Sequence, residues 1–166
     1  MGCDIHFFVE KKAKAYTRQK SLNNVLEIEQ DVTDVWESAD EWITEHDGDN
    51  TYTYVDYAAS FYNGRNYQLF GVLAGVRHRP NDDYPFIEPR GIPDDVTKAV
   101  LDCYDEWGVD AHTPSYLTLS ELKEIDWTMY ADSNYNWFAN FETTIERMDQ
   151  LSKNDEDVRC VFWFDN

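Results

Sequence analysis

The sequence predicts an α+β fold: a small mixed or antiparallel sheet that includes the N- and C-terminal strands, packed with three to four helices. Three observations lead there. Both ends of the chain alternate with the two-residue period of a strand. Helical periodicity and cap signals recur between them. The 166 residues include six Trp, eleven Tyr and nine Phe, enough apolar bulk for one folded domain over 1–166 despite a net charge of −19.

The elements follow in order. Residues 3–10 read as a strand with Cys3, Ile5, Phe7 and Val9 on an apolar face and Asp4, His6, Phe8 and Glu10 on the other. Lys11 to Asn24 is basic and polar, a loop or an extended hairpin arm. Val25 to Glu37 holds one or two strands, and Ser38 reads as the cap of a short helix over Ala39 to Thr44. His46-Asp47-Gly48-Asp49-Asn50 is turn chemistry. It fails as a calcium loop, because Tyr52 stands where the loop needs Gly and Ala58 where it needs Glu. Asn63-Gly64 is a second turn. It opens an apolar stretch, Asn66 to Val76, expected as a central helix, with Arg65 at its start against the helix dipole and Arg77 at its end in favour of it.

Residues 80–93 hold four prolines and read as loop. Asp94-Asp95 is expected in the first turn of a helix running to Trp107 and stopped by Gly108. Asp110 to Ser115 falls in the loop beyond it. Thr118-Leu119-Ser120-Glu121 is a capping box opening a short helix. Phe138 to Leu151 has helical spacing, and Val158 to Phe164 alternates like a strand. That last strand is a candidate neighbour of the first.

The charge is unevenly placed. Residues 31–56 carry nine acids and no base, and residues 81–126 carry twelve acids and three bases. Between them, residues 57–80 carry Arg65, Arg77 and Arg79 and no acid. Such a field favours basic partners and argues against direct nucleic-acid binding. Cys3, Cys103 and Cys160 are odd in number and widely spaced, which fits reduced thiols in a cytoplasmic protein rather than a disulfide framework. No apolar run approaches a membrane span, and no signal-peptide core is present.

Two constellations carry candidate chemistry. Asp4-Ile5-His6 and Asp110-Ala111-His112 are both Asp-x-His. On an extended chain each presents a carboxylate and an imidazole to one side. Facing each other, Asp4, His6, Asp110 and His112 would make a mixed oxygen–nitrogen site for a divalent Zn, Mn or Fe ion. Read as structure instead, the histidines are ordinary hydrogen-bonded residues. Second, Phe61 to Tyr67 places aromatics, Asn66 and the Arg65 fork at a turn, suited to an anionic small molecule such as a nucleotide. Tyr67, Arg77 and Ser115 complete that ligand set. The structural alternative is that Arg65 merely pairs with an acid. No nucleotide-binding glycine pattern occurs, Ser115 lacks a nucleophile-elbow context, and alternation sends Cys3 and His6 to opposite faces.

Met1-Gly2-Cys3-Asp4-Ile5-His6 resembles the opening of a group of small phage and prophage proteins. The likeness continues through residues 36–40, 61–67, Leu69-Phe70, 91–95 and 110–117, and so spans residues 1 to about 127. The family's last motif more often reads Asp-x-His-Ser-x-Ser-Trp-Leu; here Thr113 and Tyr116 keep the hydroxyl and the aromatic. The resemblance implies a setting rather than a reaction: an accessory protein in the cytoplasm of a phage-infected bacterium. Together these features give the expectation of a protein that counteracts a host defence by binding an anionic small molecule or a basic protein surface. The alternative expectation is a metal-dependent phosphoester hydrolase. Whether the protein is an enzyme, and its oligomeric state, stay open at the level of sequence.

Overall fold

A computed structural model describes residues 2–19, 28–130 and 139–165. Strand β1 (Ile5–Gln19) runs well past residue 10, so Lys11 to Gln19 is a hairpin arm and not a loop. It pairs antiparallel with β2 (Ile28–Ser38). The connection, including Lys20 to Asn24 and Val25 to Glu27, lies outside the described residues. The chain then makes a separate two-stranded hairpin, β3 (Trp42–Asp47) and β4 (Asn50–Val55), whose turn contains Gly48 at φ 61°.

Residues 39–44 are thus not helical. Ala39 N–H donates to the Val9 carbonyl (2.8 Å), and the Asp40 carboxylate accepts from Val9 N–H (2.8 Å), which ties the segment to β1. Ser38 Oγ accepts from Asp40 N–H and Trp42 Nε1 instead of capping a helix. Trp42 and Ile43 then prefer the pleated conformation that follows.

Helix α1 (Tyr67–Ala74) is the expected buried helix, with every residue from Leu69 to Ala74 buried. Asn66 caps it by accepting from Gln68 N–H and Leu69 N–H, and Gly75 closes it in the left-handed region. Helix α2 (Lys98–Trp107) starts four residues later than Asp94. Asp95 is unavailable to that first turn because its carboxylate binds Arg159 and Trp36. Strand β5 (His112–Thr118) occupies the stretch expected as loop. Its register slips between His112 and Ser115, where Thr113 takes φ 52°. The capping box at Thr118 and Glu121 is present and opens α3 (Leu119–Glu124). Helix α4 (Ala139–Asp149) and strand β6 (Val158–Phe164) follow. Phe138 lies outside the described residues.

The main sheet has the order β2-β1-β6-β5 with every pair antiparallel, so the terminal strands β1 and β6 are neighbours. All seven residues of β6 are buried, because both sheet faces are covered. On one face, Cys3, Ile5, Phe7 and Val9 join Phe162 and Phe164 under α1, α3 and α4. On the other, Phe8, Val161 and Trp163 meet Val100 of α2 and Trp42 and Val55 of the hairpin. Among the described residues no helix is long and apolar enough to cross a membrane.

Candidate functional site

The face of β1 that carries Asp4, His6 and Phe8 opens at its N-terminal end into a cleft of about 810 Å³. Its floor is β1 itself. Tyr54 and Val55 of β4 form one side, Trp107 and Cys103 of α2 another, and the segment from Tyr57 to Arg65 completes the rim. That rim is held by its own bonds. Tyr57 Oη donates to the Asn63 carbonyl (3.2 Å), and Asn63 Nδ2 returns a bond to the Tyr57 carbonyl (2.8 Å). Gly64 is required beside it: a Cβ there would stand 2.7 Å from the Tyr62 hydroxyl.

Arg65 forms a two-pronged ion pair with Asp4. Nε donates to Oδ1 at 2.6 Å and Nη2 donates to Oδ2. The guanidinium holds the Asp4 carboxyl below its ordinary range. Nη1 is not used by Asp4 and lies over Gly2, where a Cβ would come within 3.2 Å of it. The misplacement of Arg65 at a helix N-terminus is thereby resolved: it answers a carboxylate 61 residues away rather than the dipole.

His6 is oriented by Asp165. Its Nε2 lies 3.0 Å from Asp165 Oδ2, while Asp165 Oδ1 accepts from Asp4 N–H at 3.0 Å. The imidazole packs against Trp107, with centroids 4.2 Å apart, and stacks on Trp163 at 5.5 Å. The pair leaves Nδ1 of His6 as its second nitrogen. Burial raises the Cys103 thiol to about 11, so this cysteine is a neutral wall and not a thiolate nucleophile. Burial likewise raises Tyr62 to about 12.

Of the residues singled out in the sequence, this cleft collects Asp4, His6 and Arg65. The rest go elsewhere. Asn66 is spent as the α1 cap. Tyr67 and Arg77 line a different cleft. Ser115 is fully buried in β5, where its Oγ accepts from Arg90 N–H (3.2 Å). Asp110 sits exposed at the end of a one-turn 3-10 helix, Gly108–Asp110. His112 Nδ1 is bonded to Thr113 Oγ1 (2.9 Å), and its buried Nε2 has no partner.

The two Asp-x-His units therefore do not converge. His6 stacks on Trp163, whereas His112 stacks on Phe164. Adjacent residues of a strand project to opposite faces, so the two imidazoles lie on opposite sides of the sheet. Among the described residues no group of three or more His, Cys, Asp or Glu side chains is placed to hold a metal ion. The expected Asp4, His6, Asp110 and His112 metal cluster is not assembled.

Sequence reasoning missed Asp165, Trp107, Tyr54 and Tyr57. For Asp165 a signal existed. If the last strand pairs antiparallel with the first, Phe164 opposes Ile5, and the next residue falls beside Asp4. The aromatic walls had no such signal, because they come from the hairpin and from α2. Comparison with family models, with curated proteins and with solved structures finds no match.

Proposed function

We propose that this protein acts by binding, and that its cleft takes a nucleotide-class small molecule. The observation that supports this most is the lining: exposed aromatic rings of Tyr54, Tyr57 and Trp107 face a cleft whose rim carries one arginine fork. A flat base stacks on such rings. Sugar hydroxyls donate to the carboxylates of Asp4 and Asp165, and an anionic group meets the unused Nη1 edge of Arg65. The volume lies in the range of small-molecule sites, about 300–1,000 Å³. The phage-type resemblance supplies the setting: such a binder would act as an accessory protein in the infected cytoplasm, withholding a small molecule from a host defence.

The test is calorimetry and thermal shift with matched panels of nucleosides and nucleotides. At a free ligand concentration of 100 times Kd, stabilisation by about 2.7 kcal/mol is expected. Arg65→Ala should weaken the nucleotides more than the nucleosides, and Trp107→Ala should weaken both. A panel in which nothing shifts the unfolding midpoint refutes the reading.

A second reading, hydrolysis of a phosphoester in the same cleft, is favoured by one observation. His6 faces the cleft with Asp165 holding its Nε2, the arrangement of a general base and its orienting carboxylate. Its Nδ1 would then take a proton from water. Turnover of a bound nucleotide that vanishes in His6→Ala supports it; recovery of the intact nucleotide after prolonged incubation removes it.

A further inference from the structure

A second cleft, of about 540 Å³, lies outside the site above and is lined by Tyr67, Arg77, His78, Arg79, Asp82 and Tyr84. It is cationic in a protein with 33 acids against 14 Lys and Arg. In such a chain an arginine finds an acid easily, and three are seen to do so. Arg65 is satisfied by Asp4, Arg90 by Glu121, and Arg159 by Glu10 and Asp95. Arg147 is satisfied by the carbonyls of Ala59, Ser60 and Phe61. Arg79 differs. It is exposed, and among the described residues no carboxylate pairs with its guanidinium.

Asp82, the acid that lines this cleft, is already engaged. Asp82 Oδ2 accepts from the backbone N–H of Arg79 at 2.7 Å and from Tyr84 Oη at 3.4 Å. Asp82 N–H in turn donates to the Arg79 carbonyl at 3.0 Å. These bonds close the Arg79-Pro80-Asn81-Asp82 turn and present the Arg79 side chain from a fixed base. Arg77 sits at φ 62°, a conformation that suits glycine and disfavours any residue with a Cβ. There its guanidinium lies over the Tyr67 ring, 5.4 Å from the centroid. His78 Nε2 donates to the Tyr84 carbonyl at 2.9 Å, which leaves Nδ1 as its second nitrogen. The cleft thus joins one uncommitted arginine fork, a second arginine held in a left-handed conformation, a histidine and two tyrosines.

We propose that this second cleft is an anion site for a soluble phosphate-bearing molecule. Arg79 supplies the two-pronged contact, and Arg77 and the tyrosine hydroxyls flank it. Guanidinium matches the paired oxygens of a phosphate, and a concave rim desolvates them. A phosphate displayed on a membrane is the poorer candidate, since a chain of net charge −19 is repelled from an anionic surface.

The experiment is calorimetric titration of the full chain with sodium pyrophosphate at fixed ionic strength. The variants are Arg79→Ala, Arg77→Gly and, as a charge-matched control far from the cleft, Lys98→Ala. Wild type should bind one pyrophosphate. Arg79→Ala should weaken it about tenfold or more, the scale of one lost charge-assisted contact. Arg77→Gly, which keeps the backbone conformation, should also weaken it, and Lys98→Ala should stay within about twofold of wild type. If Arg77→Gly disturbs folding, Arg79→Ala decides alone, because its guanidinium has no internal ion pair to lose. Absence of pyrophosphate binding in wild type overturns the proposal, as does equal binding by Arg79→Ala and Lys98→Ala. Arg79-dependent sedimentation with phosphatidic-acid vesicles overturns the assignment to a soluble ligand.

Discussion

The two faces of β1 are made from alternate residues of one short segment and do different work. Cys3, Ile5, Phe7 and Val9 enter an apolar core formed with three helices. Asp4, His6, Phe8 and Glu10 face the other way, and each of the three ionisable groups has a named partner: Arg65, Asp165 and Arg159. Those partners grade from exposed to buried along the strand. Asp4 and Arg65 are about half exposed at the cleft rim, with relative side-chain areas of 48 and 53%. His6 and Asp165 are intermediate, and Glu10 and Arg159 are buried. The same segment therefore passes from a half-exposed ion pair to a buried one within seven residues. An apolar face needs only bulk and shape, whereas the ionic face needs each partner in register.

The largest effects should come from breaking each face at its most buried point. Glu10 and Arg159 are direct cross-strand neighbours at 2.7 Å, and Glu10 also accepts from Thr97 N–H at 2.7 Å. Glu10→Ala leaves the buried Arg159 with Asp95 as its remaining carboxylate and leaves Thr97 N–H without its acceptor, and should cost about 3 kcal/mol in urea unfolding. Phe7→Ala, on the apolar face, should cost about the same through its cavity. The faces separate on rescue. Glu10→Leu with Arg159→Leu should recover much of the ionic loss, because the buried guanidinium that has lost Glu10 is gone. Equal losses in single and double variants would show that the ion pair is not what the second face relies on.

Asp40 gives the next largest effect, and it depends on pH. Its carboxylate accepts from Val9 N–H of β1, but Oδ1 is buried without a partner, and burial raises its pKa from 3.8 to about 7. The folded state thus binds this proton more tightly than the unfolded chain does. The stabilisation is complete below about pH 4 and is lost as pH rises to about 7, with a slope approaching 1.4 kcal/mol per unit. Asp40→Asn should remove that slope and raise the unfolding midpoint at pH 8 relative to wild type. An unchanged pH profile in the variant would assign the slope to another group.

At the exposed end of the strand, the effect should move from stability to binding. Asp4→Asn and Arg65→Ala should leave the urea midpoint near wild type, since half-exposed ion pairs contribute little. Both should alter nucleotide affinity, Arg65→Ala by loss and Asp4→Asn by freeing the guanidinium. The smallest change is expected for Tyr57→Ala, whose ring is 72% exposed. Stability should fall by no more than about 1 kcal/mol for the lost Oη bond to the Asn63 carbonyl, and affinity only a few-fold, on the scale of about 1 kcal/mol for one stacking partner. A fall in stability with affinity unchanged would confine Tyr57 to holding the rim.

The sequence by itself determined the parts whose cause is local. The apolar face of residues 3–9, a buried helix within Asn66 to Val76, the Thr118 capping box and strand β6 all follow from neighbours within one or two turns. It also brought Asp4, His6 and Arg65 forward as site residues. Only the tertiary structure decided the rest. It extended β1 to Gln19 because β2 was there to pair with it, and it made residues 42–47 a strand because Asp40 was bound to Val9. It started α2 at Lys98 because Asp95 was taken by Arg159. It gave His6 the carboxylate of Asp165, 159 residues away, and sent His112 to the opposite face. In a chain with so many acids, local pattern says that an arginine or histidine will find a carboxylate. Only register and packing choose which one, and only they leave Arg79 without any among the described residues.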